Sequence, residues 1–220
     1  MYGPPSSRPS RSECLAFASA RGFGIAVAAA AGGPAAVPVP FCLEAAADGT
    51  TLAVFHLARR NPLLAAADGV SPWLLHVGGD DAYVSADWYA SVDQVPTWLY
   101  QAVQLRGPIR VLRDDELAVH LDALSAHFEQ RLAPKPPWTT EKMTPGRLDA
   151  MKKAIVGCVL RVEDVAGSFK LNQHKSDADM AAIGAALARQ PDAGSRAIAQ
   201  VIGMQRRAAE VDDGKMQGAA

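Results

Sequence analysis

A chain of 220 residues with a net charge of −1 holds one sizeable domain or one and a half, and no global field draws it towards nucleic acid or an anionic membrane. Apolar residues make up 49% and charged residues 20%, which excludes a disordered chain. Cys14, Cys42 and Cys158 are scattered without CxxC spacing, so they read as buried free thiols and not as a disulfide frame or zinc site.

The opening MYGPPSSRPSRSE is polar and lacks the apolar core of a signal peptide. The most apolar tract, GIAVAAAAGGPAAVPVPF, is broken by Gly-Gly-Pro and two further prolines, so it cannot span a membrane as a helix. A soluble, cytoplasmic protein with no membrane partner is expected. Ser10 and Glu13 form an S-x-x-E capping box that predicts a helix over 11–20. A meander follows: strands at 23–30, 36–44 and 50–58, separated by Gly-Gly-Pro and Asp48-Gly49. Strands at 72–79 and 82–85 are expected on either side of an Asp80-Asp81 turn. A long strand from 95 runs into GPIRVL, bent or bulged at Gly107-Pro108. In that strand Trp98, Tyr100, Gln104 and Arg106 share one face, and Thr97, Leu99 and Val103 the other.

The second half reads as helical. Asp114 is expected to cap a helix with Leu117, Leu121, Leu124 and Phe128 as its apolar stripe. The proline-rich 133–138 stops it, and Thr144-Pro145 reads as the start of another helix carrying Leu148, Met151 and Ile155. Residues 155–165 are β-like. Ser176 with Asp179 opens a helix to about 188, a last helix spans about 194–208, and a mobile tail is expected over 209–220.

Few motifs carry chemistry by themselves. Nucleophile elbows, a Walker loop and a dinucleotide fingerprint are absent from the sequence. Glu116 and His120, four apart on one helix face, suit a solvated surface better than a metal site. HLARRNP (56–62) gathers His56, Arg59 and Asn61 at a strand end, where guanidinium groups suit phosphate, although the spacing alone favours an exposed turn. The segment 81–100 holds Tyr83, Trp88, Tyr89, Trp98 and Tyr100, a cluster that fits a core, an interface or the wall of a site for a flat heterocycle. The last two helices, with Arg196, Gln200, Arg206 and Arg207, read as a packed pair more readily than as a DNA-reading helix-turn-helix.

Several segments, taken in order, resemble the PaiB-like FMN-binding negative transcriptional regulators. They are Met1-Tyr2 with Pro4, PF at 40–41, HLARRNP, DAYVSADWYAS, VPTWLYQAV, PW at 137–138, AIVG at 154–157 and FKLNQ at 169–173, which together cover about residues 1–188. The resemblance implies an α+β, mainly β fold: a split β-barrel of the flavin reductase and pyridoxamine phosphate oxidase type, with flanking helices and a helical C-terminal extension. It implies a barrel domain over 1–175, an extension over 176–208, a homodimer and FMN at the subunit interface, with DNA as a partner through the regulatory role.

By the same resemblance His56, Arg59 and Asn61 would face the flavin phosphate. Ser85, Trp88, Tyr89, Thr97, Trp98 and Tyr100 would form its walls or the dimer seam, and Lys170 and Gln173 would reach it from a later strand and loop. The family pattern VPTWNY, with histidines further on, is here altered at Leu99, Gln104 and Arg106. A family histidine is replaced by Pro38, and the late Asn-Arg by His174-Lys175. These departures remove hydrogen-bonding groups and point to weakened FMN affinity. A flavin-dependent oxidoreductase and a haem-handling split barrel are the alternative readings. For haem the imidazoles available are His56, His76, His120, His127 and His174.

Overall fold

The computed structural model describes residues 4–217, with side chains through Arg207. The chain divides into a larger unit, Ser10–Val77 with Val103–Ala166, and a smaller one, Met1–Pro9 with Gly78–Ala102 and Gly167–Ala220.

The larger unit opens with α1 (Arg11–Arg21). Its capping box is complete, since Ser10 Oγ accepts from Glu13 N–H and the Glu13 carboxylate accepts from Ser10 N–H. Gly22 ends the helix at φ 60°, a left-handed position that a side chain would strain. Strands β1 (Phe23–Ala30), β2 (Gly33–Ala45) and β3 (Thr51–Ala58) follow as the expected antiparallel meander, with β2 longer at its start than predicted. β6 (Ile155–Arg161) then pairs with β3, from Leu52↔Arg161 to Ala58↔Ile155.

β4 (Pro72–Val84) is one continuous strand where two were expected. Trp73, Leu75 and Val77 are buried, and then Ala82 and Val84, so the buried side changes phase across Gly78-Gly79-Asp80-Asp81. That phase change mimics a turn when only alternation is read. β5 (Thr97–Val111) is likewise continuous through Gly107-Pro108. Gly107 is required there: a Cβ would lie 1.8 Å from the carbonyl oxygen of Arg161. β7 (Asp164–Lys170) is separate from β6, correcting the single β-like segment read over 155–165.

The strand order is β4-β1-β2-β3-β6-β5-β7, and β4 also pairs with β5, so six strands close on one another as a barrel requires. Phe41, Phe55, Trp73, Leu75, Leu105, Ile109 and Leu160 form the fully buried heart of the larger unit. Helix α2 (Asp114–Glu129) starts one residue after its true N-cap, Arg113, whose N–H is held at 2.8 Å by the Glu116 carboxylate. The helix expected from Thr144-Pro145 is shorter, α3 (Arg147–Lys152), because Gly146 turns the chain at φ 77° and leaves Ile155 to begin β6.

In the smaller unit α4 (Asp177–Ala188) and α5 (Ala193–Gln217) pack Met180, Ile183, Leu187, Ile198 and Ile202 against Ala82, Val84, Leu99 and Leu171. α5 continues past the predicted end at 208. The tail expected to be mobile therefore falls partly on helical backbone and, at 218–220, outside the described residues. No helix among the described residues is long and apolar enough to cross a membrane.

Candidate functional site

The smaller unit gathers most of the residues singled out in the sequence. β5 presents Leu99 to the buried core while Trp98, one residue earlier, stands 53% exposed, as the alternation of the strand demands. Tyr83 of β4 meets Trp98 edge to face at 5.9 Å, with the rings inclined at 66°. Thr97, on the side of Leu99, accepts a hydrogen bond from Lys170 Nζ at 2.6 Å. Among the described residues this ammonium has no carboxylate partner.

Beyond β7 the chain turns at Asn172, in the left-handed region at φ 61° and almost fully buried. Its Nδ2 donates to the Tyr89 hydroxyl at 2.9 Å. Gln173 folds back on its own turn, accepting from Leu171 N–H at 3.0 Å and donating to the Phe169 carbonyl. Lys175 lies 5.4 Å from the centre of the Tyr89 ring and donates to Gln94 Oε1 at 2.6 Å. The loop that carries Trp88 and Tyr89 is tied to α4 by Asp179. Its carboxylate accepts from both Ser91 N–H (2.9 Å) and Ser91 Oγ (3.0 Å), and from Ser176 Oγ (3.0 Å). Those bonds, the Ser91 backbone first, hold the Asp179 carboxyl below its ordinary range. Ser85 caps the 86–88 turn by accepting from Asp87 N–H at 3.3 Å.

The structure therefore joins Thr97 with Lys170 and Tyr89 with the Asn172–Lys175 turn, but Trp98 projects to the opposite face of β5 from Thr97. Asn172, Lys175, Gln94 and Asp179 are not among the site residues that the sequence suggests. The FKLNQ motif pointed to their neighbourhood, whereas side-chain partners 80 or so positions apart leave no local signal.

His56, Arg59 and Asn61 belong to the larger unit, and each is engaged there. Arg59 Nε donates to the Lys153 carbonyl at 2.7 Å and its Nη2 to the Ile155 carbonyl at 2.9 Å, pinning the start of β6. Asn61 caps the 62–66 turn by accepting from Leu63 N–H at 3.0 Å. His56 Nδ1 lies 3.4 Å from His120 Nε2. Burial, and then the neighbouring His56, push His120 down to about 4, and burial lowers His56 as well. Glu116, one turn earlier, is bound at 2.9 Å through both oxygens by Arg110, and His120 is buried against His56, which corrects the solvated face expected of this pair. Among the described residues no three His, Cys, Asp or Glu side chains gather as a metal set.

The departures from the family pattern also find places. Leu99 is fully buried, so at this position a core side chain stands where the pattern has an amide. Arg106 donates to Gln104 Oε1 and pairs with Asp164 at 2.8 Å, so these two substitutions bind each other. Pro38 lies exposed on β2, opposite Ile25.

These residues suit a flavin in kind. An ammonium without a carboxylate partner beside a hydroxyl can hold an anionic group, and an exposed aromatic pair offers a face to a flat ring system. The closed strands define a split β-barrel. The sequence pattern described as "Putative FMN-binding domain" matches residues 1–164, and the chain belongs to that family. It is 32% identical over 163 residues to the protease synthase and sporulation protein PAI 2 of Bacillus subtilis, covering 74% of this chain and 77% of that protein. Among solved structures, the FAD and heme binding protein from Mycobacterium smegmatis superposes with a TM-score of 0.55 at 21% identity, covering 80% of each chain. The flavocytochrome Anf3 from Azotobacter vinelandii gives 0.50 at 17% identity, covering 74% of this chain and 68% of its own. At these identities the likeness establishes the fold.

Proposed function

We propose that the protein holds FMN and acts in the cytoplasm as a homodimeric, PaiB-like negative transcriptional regulator. Family membership and the similarity to PAI 2 support the reading. The observation that carries the cofactor is Lys170: a half-buried cation, set on the Thr97 hydroxyl at 2.6 Å and matched by no carboxylate among the described residues. FMN, when bound, supplies redox chemistry that no side chain provides. The chain's part is to bind and orient it, with Lys170 and Thr97 fixing an anionic group. The half-exposed aromatic pair, with Val95 beside it in sequence, also favours burial against a second copy.

Titration with FMN followed by flavin absorbance and fluorescence tests the cofactor. Saturable binding is expected, weakened about tenfold or more in Lys170→Met, a loss of the size of one charged hydrogen bond. Binding by the variant equal to the parent's would remove Lys170 from the site, and no binding by the parent would remove the cofactor. Sedimentation gives the oligomeric state. Retention of promoter DNA that falls steeply with salt tests the regulatory role, and a flat response would leave it without a direct mechanism.

A further inference from the structure

A groove of ≈ 490 Å³ opens in the larger unit, at the end of β3 opposite the one that carries His56 and Arg59. Its floor is apolar: Ile109 and Val159 are buried and Leu52 half-buried. Its rim carries both signs of charge. Among the described residues Arg161 makes two long contacts, an ion pair with Asp48 Oδ2 at 3.4 Å and a bond to Thr50 Oγ1 at 3.5 Å, which leaves most of a five-donor guanidinium open. Glu163 has no side-chain partner among the described residues. The other arginine of the rim, Arg110, is committed to both oxygens of Glu116.

Arg161, at the end of β6, and Glu163, in the link to β7, both line the groove on either side of the buried Val162. The backbone beneath them is fixed: Val162 N–H donates to the Thr51 carbonyl and Glu163 N–H to the Arg106 carbonyl, each at 2.9 Å. A cation and an anion thus line one groove with an apolar floor, on a fixed backbone.

We propose that this groove binds a small zwitterion with an apolar side chain, an α-amino acid of the leucine class. Its carboxylate would lie on the Arg161 guanidinium, which suits a planar two-oxygen partner. Its ammonium would lie on Glu163 with Asp48 nearby, and its side chain on Leu52, Ile109 and Val159. A ligand bearing one charge satisfies only half of the rim and leaves the other half desolvated without a partner.

Calorimetric titration of the full chain with L-leucine tests this, with isocaproate and isoamylamine as the matched acid and amine. Saturable binding of leucine is expected, with each single-charge analogue, and leucine itself on Arg161→Met or Glu163→Gln, weaker by at least about tenfold. Both side chains are exposed, so the variants should keep the parent's circular dichroism and Tm. Absence of saturable binding by the parent overturns the proposal, as does unchanged affinity in Arg161→Met. Equal affinity for isocaproate and leucine overturns the zwitterion. FMN titration of Arg161→Met should match the parent, so this site and the flavin site fail or stand separately.

Discussion

His56 Nδ1 and His120 Nε2 meet at 3.4 Å, their rings edge to face, and His120 Nδ1 is buried with no hydrogen-bond partner among the described residues. The pair can share one proton as neutral rings, but a second proton would place a charge in a site that burial already penalises. Folded-state values for both imidazoles lie below the unfolded value near 6.5. Their neutral forms therefore favour the fold at pH above about 6.5. As pH falls from 6.5 towards 4 the unfolded chain takes up protons first, and stability declines.

For His120 alone the loss reaches on the order of 3 kcal/mol near pH 4. Urea denaturation between pH 7 and pH 4 should show a stability slope that Gln at both positions flattens. The same slope in the double variant His56→Gln/His120→Gln would assign the acid limb to other groups.

Gly107→Ala should abolish folding or lower stability by more than about 3 kcal/mol, because a backbone carbonyl occupies the space of the new methyl and cannot swing away. Soluble yield and thermal unfolding measure it. A variant with the parent's Tm would contradict the close approach of β5 to the end of β6.

Asp179→Ala takes the acceptor from three donors at once and leaves Ser91 N–H, Ser91 Oγ and Ser176 Oγ to find water. A fall of several degrees in Tm is expected, with faster proteolytic cutting within 86–95, the loop it holds. Since Asp179's carboxyl is lowered in the fold, the parent gains stability from it above its unfolded value near 3.8 and loses that gain as pH drops through the folded value.

Cys158 is fully buried and burial pushes its thiol up to about 12. Folded protein should leave Cys158 unmodified by iodoacetamide at pH 8 and expose it in denaturant, as peptide mass mapping would show. Rapid modification of the native protein would mean that β6 opens readily.

Much of this arrangement was written in local sequence. The Ser10 and Ser176 caps, the meander and the alternation of β5 depend on neighbours within a few positions, and they appear where the sequence placed them. Elements defined by longer context were misread. β4 looked like two strands because its buried side changes phase, and α3 was overextended because Gly146, not Thr144, begins it.

Of the flavin candidates, Thr97 and Lys170 meet, whereas Arg59 and Asn61 spend their side chains on local carbonyl and amide groups. Residue type announced an anion donor, but only the fold shows which donors are already engaged. Helix spacing sets His120 beside Glu116, but its neighbour in the fold, His56, comes from a strand 64 positions earlier.

The phase change in β4 has a consequence for how this sequence can vary. Two stretches of one strand obey opposite parity, so the four residues Gly78-Gly79-Asp80-Asp81 act as a coupling whose length is counted, not merely tolerated. Removing one of them would carry Tyr83 inward and Ala82 outward, exchanging an aromatic surface for a methyl group in a single step. Single-residue insertions and deletions there should be among the least forgiven in the chain, and paired ones far better borne.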